Sequence, residues 1–154
     1  MSSNDQTLWF LDGLVRIRAA ARPGGVSVLE HEARRGDSPP LHVHRHDDEV
    51  FHVLDGRLRL RVGDDDLVAE AGETLVAPHG VPHTYVVESE RACWLVVTSG
   101  EAFERFVVAA SRPAETDGLP EPTPVTPEMA EGLGRLAAAH GIDLIGPPLT
   151  LAVA

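Results

Sequence analysis

The chain has 154 residues, of which 43% are hydrophobic and 24% charged, as is typical of one globular domain with its own core. A formal net charge of −11 argues against the basic face that a nucleic-acid-binding domain needs. The single cysteine, Cys93, excludes an intrachain disulfide.

The first ten residues, MSSNDQTLWF, lack the basic stretch and apolar core of a secretory leader. No apolar run approaches the roughly 20 residues that cross a membrane. We therefore expect a soluble, cytoplasmic protein that binds neither membrane nor nucleic acid.

Short strands separated by turns are predicted from residue 8 to residue 98. VSVLEHEA (26–33) and EVFHVL (49–54) have strand character, and RLRLRV (57–62) alternates strictly between arginine and apolar residues, as a half-buried strand does. The dipeptide DG (55–56) predicts a hairpin between the last two of these strands.

The strand pattern continues beyond this segment. GDDD (63–66) predicts a solvated turn, without the spacing of a calcium loop. LVAEAGETLVAP and HTYVVE continue the strands, and ACWLVVT (92–98) is suited to a buried strand. So regular a series indicates an all-β sandwich or barrel.

The remainder of the chain predicts two helices. One spans residues 99–110 with Ser99 as its N-cap, and five prolines then mark 111–127 as an extended segment. The second begins after the N-cap Thr126 and ends before Gly141. One domain is expected over 1–154, with a barrel core at about 8–98 and a helical extension at about 99–154. The apolar stripe of the second helix is expected to pack on the sheet, with a partner helix as the alternative. The stripe consists of Met129, Leu133 and Leu136.

Two histidines and a glutamate in PPLHVHRHDDEVFHVLDG (39–56) suggest a metal site. His42 and His44 are two residues apart, so both imidazoles project from one face of a strand. After a polar turn, Glu49 opens a second strand, expected to lie antiparallel beside the first and to bring its carboxylate level with the imidazoles. Two imidazoles and one carboxylate form a facial metal triad. His83, which shares strand parity with Tyr85, completes the set if its face points inward.

The other histidines are predicted to have different roles. His46 has the right parity but lies in a turn, which favours a solvated or rim position, and His52 has the opposite parity to Glu49. His79 is expected at the mouth or on the surface. His31 and His140 are isolated and expected to be structural or surface residues, and Cys93 to be a buried, inert thiol.

Two spaced motifs resemble the signature of the cupin superfamily. The first reads G-x5-H-x-H-x4-E-x6-G from Gly36 to Gly56, and the second reads G-x5-P-x-G-x2-H from Gly72 to His83. Val87 stands where the general second motif has asparagine. The resemblance implies a double-stranded β-helix, or jelly-roll, barrel with short C-terminal helices. It also implies one divalent transition metal ion bound by His42, His44, Glu49 and His83.

Residues 8–148 also resemble single-domain cupins of the quercetin 2,3-dioxygenase type. That resemblance implies opening of a flavonol ring with O2 and loss of carbon monoxide, with Glu49 as the base. The metal would be nickel or iron, then manganese or cobalt, then zinc, with copper possible. Phe51, Val53 and Tyr85 are candidates for an apolar pocket for an aromatic, polyphenolic substrate, with barrel core as the alternative role.

Two other functions are compatible with the same motifs. One is a redox-neutral, metal-dependent cyclase or isomerase of polyketide or phenolic substrates. The other is a small-molecule-binding cupin without enzymatic activity. A homodimer is expected in each case.

Overall fold

The computed structural model describes residues 6–152 of the chain. The prediction that the N-terminus is not a secretory leader concerns the first ten residues, and residues 1–5 of these lie outside the described part of the chain. In order along the chain, the elements are β1 (Thr7–Phe10), β2 (Gly13–Ala19), β3 (Val26–Arg34), β4 (Leu41–His44), β5 (Glu49–Asp55), β6 (Arg57–Val62), β7 (Asp65–Glu70), β8 (Thr74–Ala77), β9 (His83–Val87), β10 (Arg91–Ser99), α1 (Ala102–Ala110), β11 (Ser111–Pro113), α2 (Pro127–Ala139) and β12 (Ile142–Gly146).

Two antiparallel sheets enclose a common core within residues 6–152. The larger sheet has the strand order β11-β1-β2-β3-β10-β5-β8, and the smaller has the order β12-β4-β9-β6-β7. Consecutive strands repeatedly cross from one sheet to the other, as they do in a jelly roll. The predicted all-β fold class is confirmed. Neither described helix is long and apolar enough to span a bilayer.

Buried and more exposed residues alternate along the central strands, and the buried residues form the core. In β3, every second residue from Ser27 to Ala33 is buried, and β10 alternates in the same way. His31 and Trp94 stand opposite each other in the register of these two strands, and both side chains point inward. In β6, Leu58 and Leu60 are buried while the arginines face outward, as the sequence predicts.

The predicted hairpin at Asp55 and Gly56 is wrong. β5 pairs with β10 and β8, whereas β6 pairs with β7 and β9, so this dipeptide carries the chain between sheets. Gly56 has a φ of +83°, and a Cβ there would lie 2.3 Å from the Arg91 carbonyl oxygen. Gly56 does bend the chain, but a bend between two strands does not decide which strands pair.

The predicted GDDD turn is shorter than expected. Asp65 and Asp66 already belong to β7, which leaves Gly63 and Asp64 at the hairpin tip. Asp66 faces Arg61 across the strand pair, with Oδ1 3.1 Å from Nε. This cross-strand ion pair explains why an acidic residue is accommodated in the strand.

Helix α1 begins later than predicted. Ser99 is the last residue of β10, and its hydroxyl accepts from the Asp48 backbone N–H at 2.9 Å. Glu101 is the N-cap instead. Asp47, from the loop after β4, accepts from the Phe103 N–H at 3.2 Å and so supplies the side-chain cap from elsewhere in the sequence.

The boundaries of α2 are confirmed, but Met129, one of the three residues of its predicted apolar stripe, does not pack on the core. Thr126 Oγ1 accepts from the Met129 N–H at 3.1 Å, and Gly141 follows the helix with a φ of +77°. Leu133 and Leu136 pack against the core. Met129 is 48% exposed, because contact with the core begins one turn after it.

Residues beyond position 98 supply strands to both sheets. β11 pairs with β1 at the edge of the larger sheet, and β12 pairs with β4 at the edge of the smaller one. The sequence pattern predicts helices and an extended segment there but neither strand, since both strands are too short to show a clear alternation. The division into a barrel core and an extension stays a prediction.

Candidate metal centre

Strand parity and cross-sheet packing bring four predicted residues together. His42 and His44 point inward from β4, and His83 stands directly opposite His42 on the neighbouring β9. Glu49 opens β5, which belongs to the other sheet. The expectation that its strand lies beside that of the histidines is therefore wrong: the carboxylate reaches them across the barrel interior.

The four side chains converge on a common point. One possible ligand atom from each residue lies within 4.8 Å of all the others, and all four residues are buried. Glu49 Oε2 is 2.7 Å from His83 Nε2 and 3.1 Å from His44 Nε2. Such an arrangement can hold a cation inside the barrel.

Backbone carbonyl groups orient two of the imidazoles. His42 donates from Nδ1 to the Pro40 carbonyl at 2.8 Å, and His83 donates from Nδ1 to the Val81 carbonyl at 3.2 Å. Because a carbonyl only accepts, Nδ1 carries the proton in both rings, which leaves Nε2 as the donor atom for a metal. The Gly80 N–H donates to the His44 carbonyl at 2.8 Å and so ties the turn before His83 to β4.

The electrostatics of the centre favour a carboxylate among imidazoles. Burial would raise the pKa of Glu49, but the charges and hydrogen bonds of His44 and His83 hold it well below its usual range. Burial, with His83 as a further cause, lowers the pKa of His42 to about 4. Burial alone would lower the pKa of His44, but the charge of Glu49 and its hydrogen bond outweigh burial, so the pKa of His44 is raised.

A divalent transition metal ion fits this donor set. His42 is neutral at pH 7, so its Nε2 lone pair is available for coordination, and Glu49 supplies the negative charge. Three imidazoles and one carboxylate suit iron, nickel, cobalt, manganese, copper or zinc. The assignment of His42, His44, Glu49 and His83 as ligands remains a proposal.

The remaining histidines lie outside the cluster. His46 is exposed in the loop after β4, as the sequence predicts. His52 projects from the outer face, where Nδ1 is 2.7 Å from Thr74 Oγ1. His79 is exposed and its Nδ1 lies 2.7 Å from Asp48 Oδ1. His140 donates from Nδ1 to the Leu136 carbonyl at 2.9 Å beyond the end of α2.

Cys93 is only half-buried, because its neighbours Ala92 and Trp94 take the inward positions of β10. The prediction of a buried thiol is wrong on this point. Burial, together with the nearby Glu30, raises the pKa of Cys93 to about 12. A thiol that is protonated at neutral pH is a poor nucleophile, in agreement with the inert role.

The residues predicted to line a pocket differ in their distance from the centre. Phe51 is buried, with its ring centroid 6.1 Å from that of His83 and 6.0 Å from that of Tyr85. Burial, with Asp37 and Glu49 nearby, raises the pKa of Tyr85 well above its usual range. Val53 is fully buried in the core cluster. A substrate role for these residues stays a prediction.

Three residues beside the centre escaped prediction as site residues. Phe103, from α1, has its ring centroid 5.4 Å from that of His44 and 6.1 Å from that of His31. Trp94 stacks on His31 at 5.6 Å. A signal was available for His31, since it shares strand parity with the apolar Leu29 and Ala33 and must therefore point inward. None was available for Phe103, which a helix brings to the barrel.

Comparisons with known proteins agree with this architecture. Residues 29–98 match the family model described as a cupin domain. A segment of 57 residues, 37% of this chain, is 39% identical to quercetin 2,3-dioxygenase of Bacillus subtilis (strain 168), and it spans only 17% of that protein.

Two solved structures show the same fold. KdgF from Halomonas sp. superposes with a TM-score of 0.54 at 19% identity, over 57% of this chain and 78% of that one. The Cnp3 cupin domain of Schizosaccharomyces pombe has a TM-score of 0.51 at 13% identity, over 59% of this chain and 68% of that one. At such identities they support the fold alone. Together with the match of residues 29–98 to the cupin domain model, they support a cupin fold for this chain.

Proposed function

We propose that this protein is a metal-dependent dioxygenase of the quercetinase type, which opens the ring of a flavonol or a related polyphenol with O2 and releases carbon monoxide. The buried cluster of three imidazoles and one carboxylate carries the proposal. The partial similarity to the Bacillus subtilis quercetin dioxygenase supports the choice of reaction.

The proposed metal is nickel or iron(II), with manganese, cobalt, zinc and copper as less favoured ions. His42, His44, Glu49 and His83 would hold it. When bound, such an ion supplies a Lewis acid that stabilises an enolate oxygen and gathers the reactants in one place.

Glu49 is the proposed base for the substrate's enol hydroxyl. It is 2% exposed and ionised, since its neighbouring imidazoles hold its pKa low. Asp47 is also buried nearby, but its Oδ2 accepts from the Phe103 N–H at the start of α1. Of these two buried carboxylates, Glu49 is therefore the one that can receive a proton from a substrate bound at the cluster.

Aromatic side chains would orient a flat substrate and keep water away from it. Phe51 lies edge-on to His83, and Phe103 lies edge-on to His44. Tyr85 contacts both Phe51 and Trp94. Apolar walls with few polar groups suit a flat aromatic ligand.

The direct test is turnover of quercetin by protein reconstituted separately with each candidate metal. Oxygen uptake with carbon monoxide release supports the proposal. Metal-dependent turnover of phenolic or polyketide substrates without oxygen would instead indicate a redox-neutral cyclase or isomerase. Tight binding of a phenolic ligand without turnover would indicate a binding protein.

A homodimer and a cytoplasmic location remain predictions. Light scattering of the purified protein tests the first, and fractionation of the native cells tests the second.

A further inference from the structure

Apart from His44 Nε2, which belongs to the cluster itself, two buried polar atoms near the metal centre have no hydrogen-bond partner among the described residues. They are Nε2 of His31 and Nε1 of Trp94. His31 is 6% exposed and Trp94 is 1% exposed. A buried donor or acceptor left unpaired lowers stability, so native proteins contain few of them. These two therefore need an explanation.

Loose packing does not explain them. His31 and Trp94 are directly paired across β3 and β10, and their rings are stacked with an interplanar angle of 21°. Phe103 stacks on His31 with an interplanar angle of 12°, and Phe10 contacts its edge. Two stacked rings and one edge contact hold the buried imidazole in one orientation.

The pair adjoins the metal centre. Phe103 contacts both His31 and His44, so one aromatic ring separates the unpaired imidazole from the cluster. Trp94 in turn contacts Tyr85, with centroids 5.1 Å apart, and Tyr85 contacts Phe51. A series of aromatic contacts thus connects the metal centre with His31 and Trp94.

We propose that His31 Nε2 and Trp94 Nε1 form an oxygen-binding subsite that recognises a second oxygen-bearing part of a ring substrate whose enol group is at the metal centre. This inference rests on the proposed function for the class of ligand. It adds two specificity-determining residues that sequence motifs do not mark.

The chemistry of the two atoms defines the ligand groups. An indole N–H only donates, so its partner must be an acceptor such as a hydroxyl or phenolate oxygen on a second ring. Burial lowers the pKa of His31 to about 4, so its imidazole is neutral at pH 7 and can accept a hydrogen bond from a hydroxyl or donate one to an oxygen. A polyhydroxylated aromatic ring satisfies both atoms, whereas an unsubstituted ring satisfies neither.

The test is anaerobic binding of quercetin to the metal-loaded protein, followed by the absorbance of the flavonol. His31→Phe and Trp94→Phe remove the polar atoms while keeping aromatic rings. The controls carry the same substitutions elsewhere. His52→Phe lies on the outer face, and Trp9→Phe removes an indole that already donates to the Gly118 carbonyl.

We expect each subsite variant to bind quercetin about three- to tenfold more weakly, the loss of one hydrogen bond, while the controls bind as wild type does. 3-Hydroxyflavone keeps the enol group but lacks the other hydroxyls, so the subsite variants should bind it with wild-type affinity. The melting temperature of metal-free His31→Phe should equal or exceed that of wild type, because an unpaired polar atom has been removed.

Unchanged quercetin affinity in both subsite variants overturns the inference. If their melting temperature also falls, these atoms have a structural role, such as binding an internal water. Equal weakening for quercetin and 3-hydroxyflavone also overturns it, because the effect would then not depend on the added oxygens. Absence of any flavonol binding by wild type overturns the subsite together with the proposed function.

The two claims can fail separately. Quercetin binding that depends on His31 and Trp94, without oxygen uptake, refutes the dioxygenase and retains the subsite. Normal oxygen-dependent turnover of quercetin, with unaltered quercetin binding in both subsite variants, refutes the subsite and retains the dioxygenase.

Discussion

Glu49 joins the two sheets through a single oxygen, because Oε2 contacts imidazoles of β4 and β9. Glu49→Gln keeps the shape of the side chain but removes its charge and its basicity. We expect a folded protein whose turnover of quercetin falls by about 10²- to 10⁴-fold, the usual contribution of a general base. Steady-state kinetics and circular dichroism check the two parts.

The matched control is Glu70→Gln, which alters an exposed carboxylate paired with Arg57. It should retain wild-type kinetics. Wild-type turnover in Glu49→Gln would remove Glu49 as the base.

Strand parity placed His42 and His44 on one face and turned His52 away from Glu49, but it left open whether His83 points inward. His42, His44 and His83 point inward, and His52 points outward. The sequence did not reveal how Glu49 approaches them, because its strand belongs to the opposite sheet. Nor did it reveal Phe103, whose position depends on the packing of α1 and on its contact with Asp47.

At the scale of elements, Gly56 lies at the bend where the chain passes from β5 of the larger sheet to β6 of the smaller sheet. Gly56→Ala should destabilise the protein for two reasons: a φ of +83° costs an alanine roughly 1–3 kcal/mol, and its Cβ would meet the Arg91 carbonyl oxygen at 2.3 Å. Urea unfolding measures the loss.

Gly72→Ala is the matched control, since its φ is +89° and nothing lies within 4 Å of the added Cβ. Gly72→Ala should show the effect of backbone strain alone, and therefore a smaller loss of unfolding free energy than Gly56→Ala. Equal losses in the two variants would mean that close packing at the corner is unimportant.

Individual strands were predictable from alternation, as β6 illustrates by ending at the expected residues. Their pairing was not. Asp55 and Gly56 provide strong hairpin chemistry, yet the strands on either side separate into different sheets. The strands of the C-terminal region also escaped prediction, because β11 contains only 3 residues and relies on β1 for its conformation.

At the scale of the whole molecule, buried neutral histidines make stability depend on pH. The pKa of His31 and that of His42 are each lowered from 6.5 to about 4, with burial as the main cause. The unfolded chain therefore binds more protons than the native protein between these values, and stability present above pH 6.5 is lost as the pH falls toward 4. Each histidine contributes at most about 1.4 kcal/mol per pH unit.

We expect metal-free His31→Phe to lose stability less steeply than wild type between pH 6.5 and pH 4, by up to about 1.4 kcal/mol per pH unit. Urea unfolding at a series of pH values measures the difference. The raised pKa of His44 acts in the opposite direction but is common to both proteins. Parallel profiles would show that His31 is not held neutral.

The central claim is that His42, His44, Glu49 and His83 bind one divalent metal ion inside the barrel. The most direct measurement is the metal content per chain, by mass spectrometry after reconstitution and dialysis, of wild type, His42→Ala, His44→Ala, His83→Ala and His52→Ala. Wild type and His52→Ala should retain about one ion per chain, and the other three should lose most of it, since each lacks one imidazole of the cluster. Full occupancy in all three cluster variants would contradict the account.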